Sequence, residues 1–205
     1  MDPISPLYEE PTNLLKQEVR EPALYNAIIS AIAGGASRLA EISSKVAEES
    51  SVCAAHLKNL ISLGIVRREN PYGDASSRRT LYFIDDNMFR FWYRFVPENN
   101  STISRGAAEI AWRRIEPHLS EFMGPVFEEI CKQYLWDLLL EGNCPIEFTG
   151  LGRWWGTDPK TRKQTKIDIM GTADQDTTLF GECKWTNEKV DLPVLETLLK
   201  RGELF

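Results

Sequence analysis

Two acidic residues and a lysine near the C-terminal end of the chain have the spacing of a metal-dependent phosphodiester-cleaving site. Asp168 lies in the segment KIDIMG, and Glu182 is followed two residues later by Lys184 in the segment GECKW. Such a site needs two carboxylates to hold Mg²⁺ and a cation near the attacking water. Because side chains at positions i and i+2 of a strand share one face, the pattern predicts Lys184 beside a metal held by Asp168 and Glu182.

The two acids face each other if their strands form a hairpin centred on Gln175. Asp168 then lies opposite Glu182, with Cβ atoms about 4.5–5.5 Å apart, as in other cross-strand pairs. Two like charges at this distance are costly unless a cation lies between them, so the geometry favours Mg²⁺ or Mn²⁺. The alternative is a surface strand pair with ordinary charges, because this short pattern also occurs by chance.

A further acid lies on the helical segment GPVFEEICKQYL, which precedes the strands. Glu128 borders the apolar stripe of this helix, and we predict that it binds a second metal or tunes the first. Glu129 is interpreted as a solvated glutamate. Arg153, beside two tryptophans in GRWW, is a candidate contact for bases or phosphate, although paired tryptophans more often anchor a core or an interface.

The segment before the acids is predicted to position a nucleic acid. Three short helical patterns are followed by two β-prone runs around a turn-rich loop, which is the order of a winged helix-turn-helix. The third helix, Ser51–Leu63, would enter the major groove. The candidate nucleic-acid-binding residues are Ser51, His56, Lys58, Asn59, Arg67, Arg68, Arg78 and Arg79.

The charge of the chain leaves two interpretations of these residues open. The net charge is −6 and the pI is about 5.1, which excludes a surface that is basic throughout but not a local basic patch. Four arginines on one hairpin could hold phosphates. They could equally form a solvated face or bind an acidic protein partner, because a fold by itself does not determine function.

These patterns predict an α+β or α/β protein, with a winged helix-turn-helix followed by a mixed sheet flanked by helices. The 205 residues are enough for two small domains. The predicted segments are an N-terminal arm broken by prolines (1–20), the winged helix-turn-helix (21–96), a helical connector (97–120) and the carboxylate-bearing domain (121–205). The aromatic run FRFWYRF is predicted to be buried, between the two domains.

The cysteine pattern and the hydropathy limit the compartments and partners that are expected for this protein. The four cysteines contain no C-x-x-C pair, so we interpret them as reduced thiols of a cytoplasmic protein rather than zinc ligands. No segment approaches the roughly 20 apolar residues of a membrane span, so no membrane association is expected. The expected partner is DNA, and the alternative is self-association through the aromatic run.

Nearly the whole chain resembles a known family. The matching segments are EPALYNAIISAIAGG, LKNLISLGIVRRENP, FRFWYRFV, MGPVFEEI, GRWW and IDIMG…GECKW. They are similar, in the same order, to the C-terminal region of archaeal and bacterial AAA-type ATPases, the domain of unknown function 234. The resemblance implies a winged helix followed by a PD-(D/E)xK restriction-endonuclease-like domain with nuclease activity.

The resemblance also implies roles for individual residues. Glu128 matches the helix acid, Asp168 the strand acid, Glu182 the second acid and Lys184 the lysine, and the backbone carbonyl of Cys183 would be a further metal ligand. The family's ATPase motif, G-x-x-x-x-G-K-[ST], does not occur in this sequence. The family's domain usually continues with more sheet after the last helix, so a C-terminally truncated domain is expected. A non-catalytic DNA-binding or regulatory module is the alternative function.

Overall fold

A computed structural model describes residues 6–173 and 177–205 of the chain. The described residues divide into two compact units, one formed by 6–69 and 80–118 and the other by 70–79 and 119–205. Helices occur together with two small antiparallel sheets, so the predicted α+β class is confirmed. Within the described ranges no helix is long and apolar enough to cross a membrane.

The first unit consists of helices and one β-hairpin. Its elements are α1 (Pro6–Glu18), α2 (Pro22–Ala33), α3 (Leu39–Val46), α4 (Ser50–Ser62), β1 (Val66–Glu69), β2 (Leu81–Ile84), α5 (Asn87–Ile103), α6 (Ala108–Ile115) and a 3-10 turn (Glu116–His118). Local signals set several of these ends. Pro22 occupies the first position of α2, where a missing N–H costs nothing. The carboxylate of Asp86 accepts a hydrogen bond from the Phe89 backbone N–H and caps α5.

The prediction that prolines keep residues 1–20 out of a helix is wrong for the described part of that segment. Helix α1 starts at Pro6, where no backbone donor is needed, and it continues through Pro11. Pro11 removes one hydrogen bond, but the helix buries Leu15 completely in the core of the unit. Burial of one leucine contributes about 1.5–3 kcal/mol, which is comparable to the cost of the proline.

Two residues of the aromatic run, Phe89 and Tyr93, belong to the core of the first unit. Phe89 and Tyr93 are buried and pack with residues of α2, α4 and both strands of the hairpin. Helix α5 then continues past Pro97, and Ile103 packs with Ala111 of α6 in a second apolar cluster. The predicted connector over 97–120 is therefore built largely of packed helices, because its apolar residues find partners within the unit.

The second unit has a three-stranded sheet between two helices. Its elements are α7 (Leu119–Leu140), β3 (Leu151–Thr157), β4 (Gln164–Thr172), β5 (Thr178–Gly181) and α8 (Leu192–Gly202), with a 3-10 turn (Ser77–Arg79). The strand order is β3-β4-β5 and every pairing is antiparallel. The described sheet is thus not mixed as predicted, because each strand pairs antiparallel with the next strand along the chain.

Residues 70–79 of the second unit lie against β3 and β4. The Tyr72 backbone N–H donates to the Arg153 carbonyl at 2.8 Å, and its hydroxyl donates to the Gly150 carbonyl at 3.2 Å. The same hydroxyl accepts from the Thr172 backbone N–H at 3.1 Å. One side chain therefore links both strands.

Helices α7 and α8 pack on opposite faces of this sheet. Glu128 of α7 contacts Lys166 of β4, which pairs with Trp155 of β3. The ring of Trp154, the neighbour of Trp155, lies 4.9 Å from that of Phe205, which follows α8. Since consecutive strand residues point to opposite faces, the face of Lys166 is covered by α7 and the other by α8.

Candidate functional site

Two predicted acids, Glu128 and Asp168, meet on the α7 face of the sheet, together with two cations. The Lys166 ammonium lies 2.8 Å from Asp168 Oδ1 and 3.2 Å from Glu128 Oε1. Arg153 Nη1 donates to Glu128 Oε2 at 3.3 Å. Asp168 is 1% exposed and Glu128 is 9% exposed. Buried carboxylates are stable only when they are paired, and here the pairing comes from Lys166 and Arg153.

The position of Lys166 is electrostatically favourable. Burial lowers the pKa of Lys166, but the carboxylates of Asp168 and Glu128 outweigh burial and raise this pKa above its ordinary value. A raised pKa means that the stabilisation is complete below the ordinary lysine pKa and is lost only as the pH rises through the folded-state value. The ion pairs are therefore intact at neutral pH.

Both carboxylate oxygens of Asp168 have a partner. Asp168 Oδ2 accepts the Cys183 backbone N–H at 3.0 Å, and the buried Oδ1 lies 2.8 Å from the Lys166 ammonium. A cation placed between Asp168 and Glu128 would neutralise both acids, and in this structure the Lys166 ammonium has that place.

Glu182 and Lys184 lie together but away from Asp168. Lys184 Nζ is 2.6 Å from Glu182 Oε1, as their i and i+2 positions predict. Glu182 Oε2 is also 2.9 Å from Arg201 Nη1, which belongs to α8. Glu182 therefore faces α8 and Asp168 faces α7, so the predicted convergence of the two acids and the lysine on one face is wrong.

A β-bulge is the local reason for this separation. The strand register agrees with a hairpin centred on Gln175, which itself lies outside the described residues, because Ile169 pairs with Gly181 and Thr172 with Thr178. On the other side of β4, Gly152 pairs with Met170 but Trp154 pairs with Ile167, so Arg153 faces both Asp168 and Ile169. Such an extra residue interrupts the alternation of side chains between the two faces of the sheet. The rule that residues i and i+2 share a face therefore fails at this position.

The Cys183 side chain lies on the α7 face, near Cys131. Burial raises the pKa of the Cys183 thiol, and the neighbouring Cys131 raises it further. A protonated thiol is a poor metal ligand. Over residues 6–173 and 177–205, no group of three or more His, Cys, Asp or Glu side chains is arranged to hold a metal ion. The residues that fit a cation best are Glu128 and Asp168.

The predicted recognition residues of α4 divide into two groups. Ser51 and Lys58 are exposed. His56 Nδ1 donates to the Val52 carbonyl at 2.8 Å and its ring packs on Tyr25, and Asn59 Nδ2 donates to the Tyr25 hydroxyl at 2.8 Å. His56 and Asn59 thus have structural contacts with α2.

The four arginines of the hairpin and its loop also differ from one another. Arg67 forms ion pairs with Glu69 at 2.8 Å and Asp85 at 3.1 Å. Arg79, in the second unit, pairs with Asp74 at 2.6 Å and donates to the Trp155 carbonyl at 3.0 Å. Arg68 of the first unit and Arg78 of the second are exposed, and neither forms an ion pair with another described residue.

Sequence reasoning missed the cations that neutralise the acids. Lys166 stands two residues before Asp168 and so shares its face in an extended strand, which is a signal that could have identified it. Arg201 lies 19 residues after Glu182, and no local spacing points to it. Tyr72 was likewise not identified, because its partners Gly150 and Thr172 are distant in sequence.

Comparison with known sequences shows the family of the chain. It belongs to the family described as DUF234, Archaea bacterial proteins of unknown function, whose profile matches residues 92–194. It is 33% identical over 178 residues to Uncharacterized protein MJECL04 of Methanocaldococcus jannaschii, an alignment that covers 86% of this chain and 39% of the relative. The chain thus spans about two fifths of that protein. No solved structure matches it.

Proposed function

We propose that this protein is a non-catalytic nucleic-acid-binding module that regulates a larger ATPase system. The observation that carries the proposal is that the conspicuous acids are neutralised within the chain while two cations of the predicted recognition surface are not. Asp168, Glu128 and Glu182 are neutralised inside the second unit, whereas Lys58 and Arg68 of the first unit are exposed and form no ion pair with another described residue. Cations with no internal partner can bind phosphates.

The architecture of the first unit supports a winged helix-turn-helix. Three helices, α2 to α4, precede the antiparallel hairpin of β1 and β2, which is the order of that motif. Helix α4 would be the recognition helix, with Ser51 and Lys58 on its exposed surface and Arg68 on the neighbouring hairpin. Contacts of this kind to phosphate position a protein on DNA without reading its sequence. As partners we propose DNA and, from the family resemblance, an ATPase domain.

A charge reversal at Arg68 tests this proposal. Arg68→Glu is expected to weaken binding to a duplex oligonucleotide by about tenfold at low salt, because one phosphate contact becomes a repulsion. The slope of log K against log[salt] should also fall by about 1. Fluorescence anisotropy over a salt series measures both quantities.

The matched control is Arg105→Glu, which makes the same charge change at an exposed arginine between α5 and α6. Arg105→Glu changes the net charge by the same amount as Arg68→Glu, but it leaves the proposed DNA-binding surface unchanged. If both variants lost the same affinity for DNA, binding would depend only on the net charge of the protein, and the proposal would be overturned.

A Mg²⁺-dependent phosphodiesterase is a second candidate, favoured by two buried carboxylates, Asp168 and Glu128, that share one cation. Glu128 and Asp168 would hold the metal, which supplies a Lewis acid for phosphodiester hydrolysis. Lys166 would turn towards water, as its half-exposed side chain permits. Glu182 and Lys184 would act only if the segment after β5 rearranged.

Metal binding separates the two candidates without relying on activity. If the second candidate is right, millimolar Mg²⁺ or Mn²⁺ raises the unfolding temperature of the wild type but not of Asp168→Asn, which has nearly the same shape and lacks the charge. Plasmid nicking should then be lost in Asp168→Asn, and it should be lost in Lys184→Ala as well if the segment after β5 rearranges. A wild type whose unfolding temperature does not respond to either metal would eliminate the phosphodiesterase.

A further inference from the structure

The first unit contains a cavity of about 420 Å³ with a cationic lining. Residues of α5, of α6 and of the following 3-10 turn line it, including Arg94, Glu98, Asn99, Arg114 and His118. Its volume lies in the range of small-molecule sites, roughly 300–1,000 Å³. Lys58 and Arg68 are not among its lining residues, so the cavity is separate from the proposed nucleic-acid-binding surface.

The charged groups of the cavity have no internal partners. Arg94, Arg114 and Glu98 are exposed, and none forms an ion pair with another described residue. Arg94 and Glu98 are four residues apart on α5 and could have paired, but an arginine that precedes the acid is the less favourable order. Two guanidinium groups therefore stand in one cavity with a single carboxylate.

The lower part of the cavity is fixed by buried groups. Phe95 and Ile115 are buried, and so is Asn99, whose Nδ2 donates to the Phe95 carbonyl at 2.9 Å. The hydrogen bond of Asn99 is local to α5, and the packing of Ile103 against Ala111 joins α5 to α6. Arg94 and Arg114 thus extend from helices whose backbones are fixed relative to each other.

We propose that this cavity binds a phosphoryl group, held between Arg94 and Arg114. The planar guanidinium group can donate two parallel hydrogen bonds to phosphate oxygens, and two such groups from different helices surround a dianion. His118 supplies a ring nitrogen, and Glu98 opposes binding. The phosphoryl group belongs to a free nucleotide or to a nucleic-acid end, and both present the same oxygens.

Isothermal titration of the full chain tests this site, with inorganic phosphate, a nucleoside triphosphate and a 5′-phosphorylated oligonucleotide as separate ligands. Arg114→Ala should weaken binding of the recognised ligand by about tenfold or more, as loss of charge-assisted hydrogen bonds does. Glu98→Gln should strengthen it several-fold, because the opposing charge disappears. The ligand whose binding Arg114→Ala weakens most identifies the source of the phosphoryl group.

The matched control is Arg113→Ala, which removes the neighbouring arginine of α6 that does not line the cavity. Arg94→Gln provides a second test on α5 if Arg114→Ala does not fold. Equal affinities in Arg113→Ala and Arg114→Ala, or weaker binding in Glu98→Gln, would overturn the proposal. So would the absence of binding of all three ligands to the wild type. Because Arg68 is intact in these variants, failure here is distinguishable from failure of the proposed DNA-binding surface.

Discussion

Replacing Glu128 by glutamine is expected to lower the free energy of unfolding by about 3 kcal/mol, the lower end of the range for breaking a buried ion pair. The carboxylate of Glu128 is the shared partner of Arg153 and Lys166. The Arg153 side chain is only 15% exposed, so water replaces this lost partner poorly. The Lys166 side chain is 53% exposed and can turn outwards, which moderates the loss.

The neighbouring acid provides the control for this prediction. Glu129 is on the same helix, and its ion pair with Lys132 is a local i, i+3 contact. The Glu129 side chain is 33% exposed, against 12% for Glu128, so Glu129→Gln is expected to cost less than Glu128→Gln. Urea unfolding of both variants, followed by tryptophan fluorescence, compares them directly. If Glu128→Gln were no more destabilising than Glu129→Gln, the cluster on the α7 face would not contribute to stability as described.

Gly171→Ala is expected to destabilise the second unit by about 2–3 kcal/mol, in the upper range for overpacking a close-packed site. A Cβ atom at Gly171 would lie 2.8 Å from the Gly150 carbonyl oxygen and 2.7 Å from Leu151 Cδ2. The leucine can change rotamer, but the backbone oxygen cannot move without disturbing β3. The central strand β4 would have to shift away from its neighbour.

Gly150→Ala is the matched control, since it adds the same methyl group in the same region. Its Cβ would meet the Tyr72 hydroxyl at 3.6 Å, an ordinary van der Waals contact. This variant should change the free energy of unfolding by less than about 0.5 kcal/mol, as for substitutions that disturb no packed group. Thermal unfolding of the pair is sufficient, and similar losses in both would contradict the close approach of β3 and β4.

Short-range patterns in the sequence determined most of the helices and the strand register. The apolar spacing of α2 and α4 places Ile28, Leu57 and Leu60 in one core, and these residues are buried as predicted. The register of β4 and β5 agrees with a turn centred on Gln175, because the turn residues and the apolar runs on both sides specify it. Such features depend on neighbours within a few residues.

The arrangement of the acids was decided by tertiary structure alone. A single extra residue opposite Arg153 sends Asp168 and Glu182 to opposite faces, and no local spacing in the sequence indicates that bulge. The partners that neutralise Glu182 and Glu128 come from α8 and from β3 and β4, through contacts between residues distant along the chain. Residue types and spacing thus determined which groups could do chemistry. Whether those groups meet a substrate or one another depends on long-range packing, because electrostatic partners are chosen by distance in space and not along the chain.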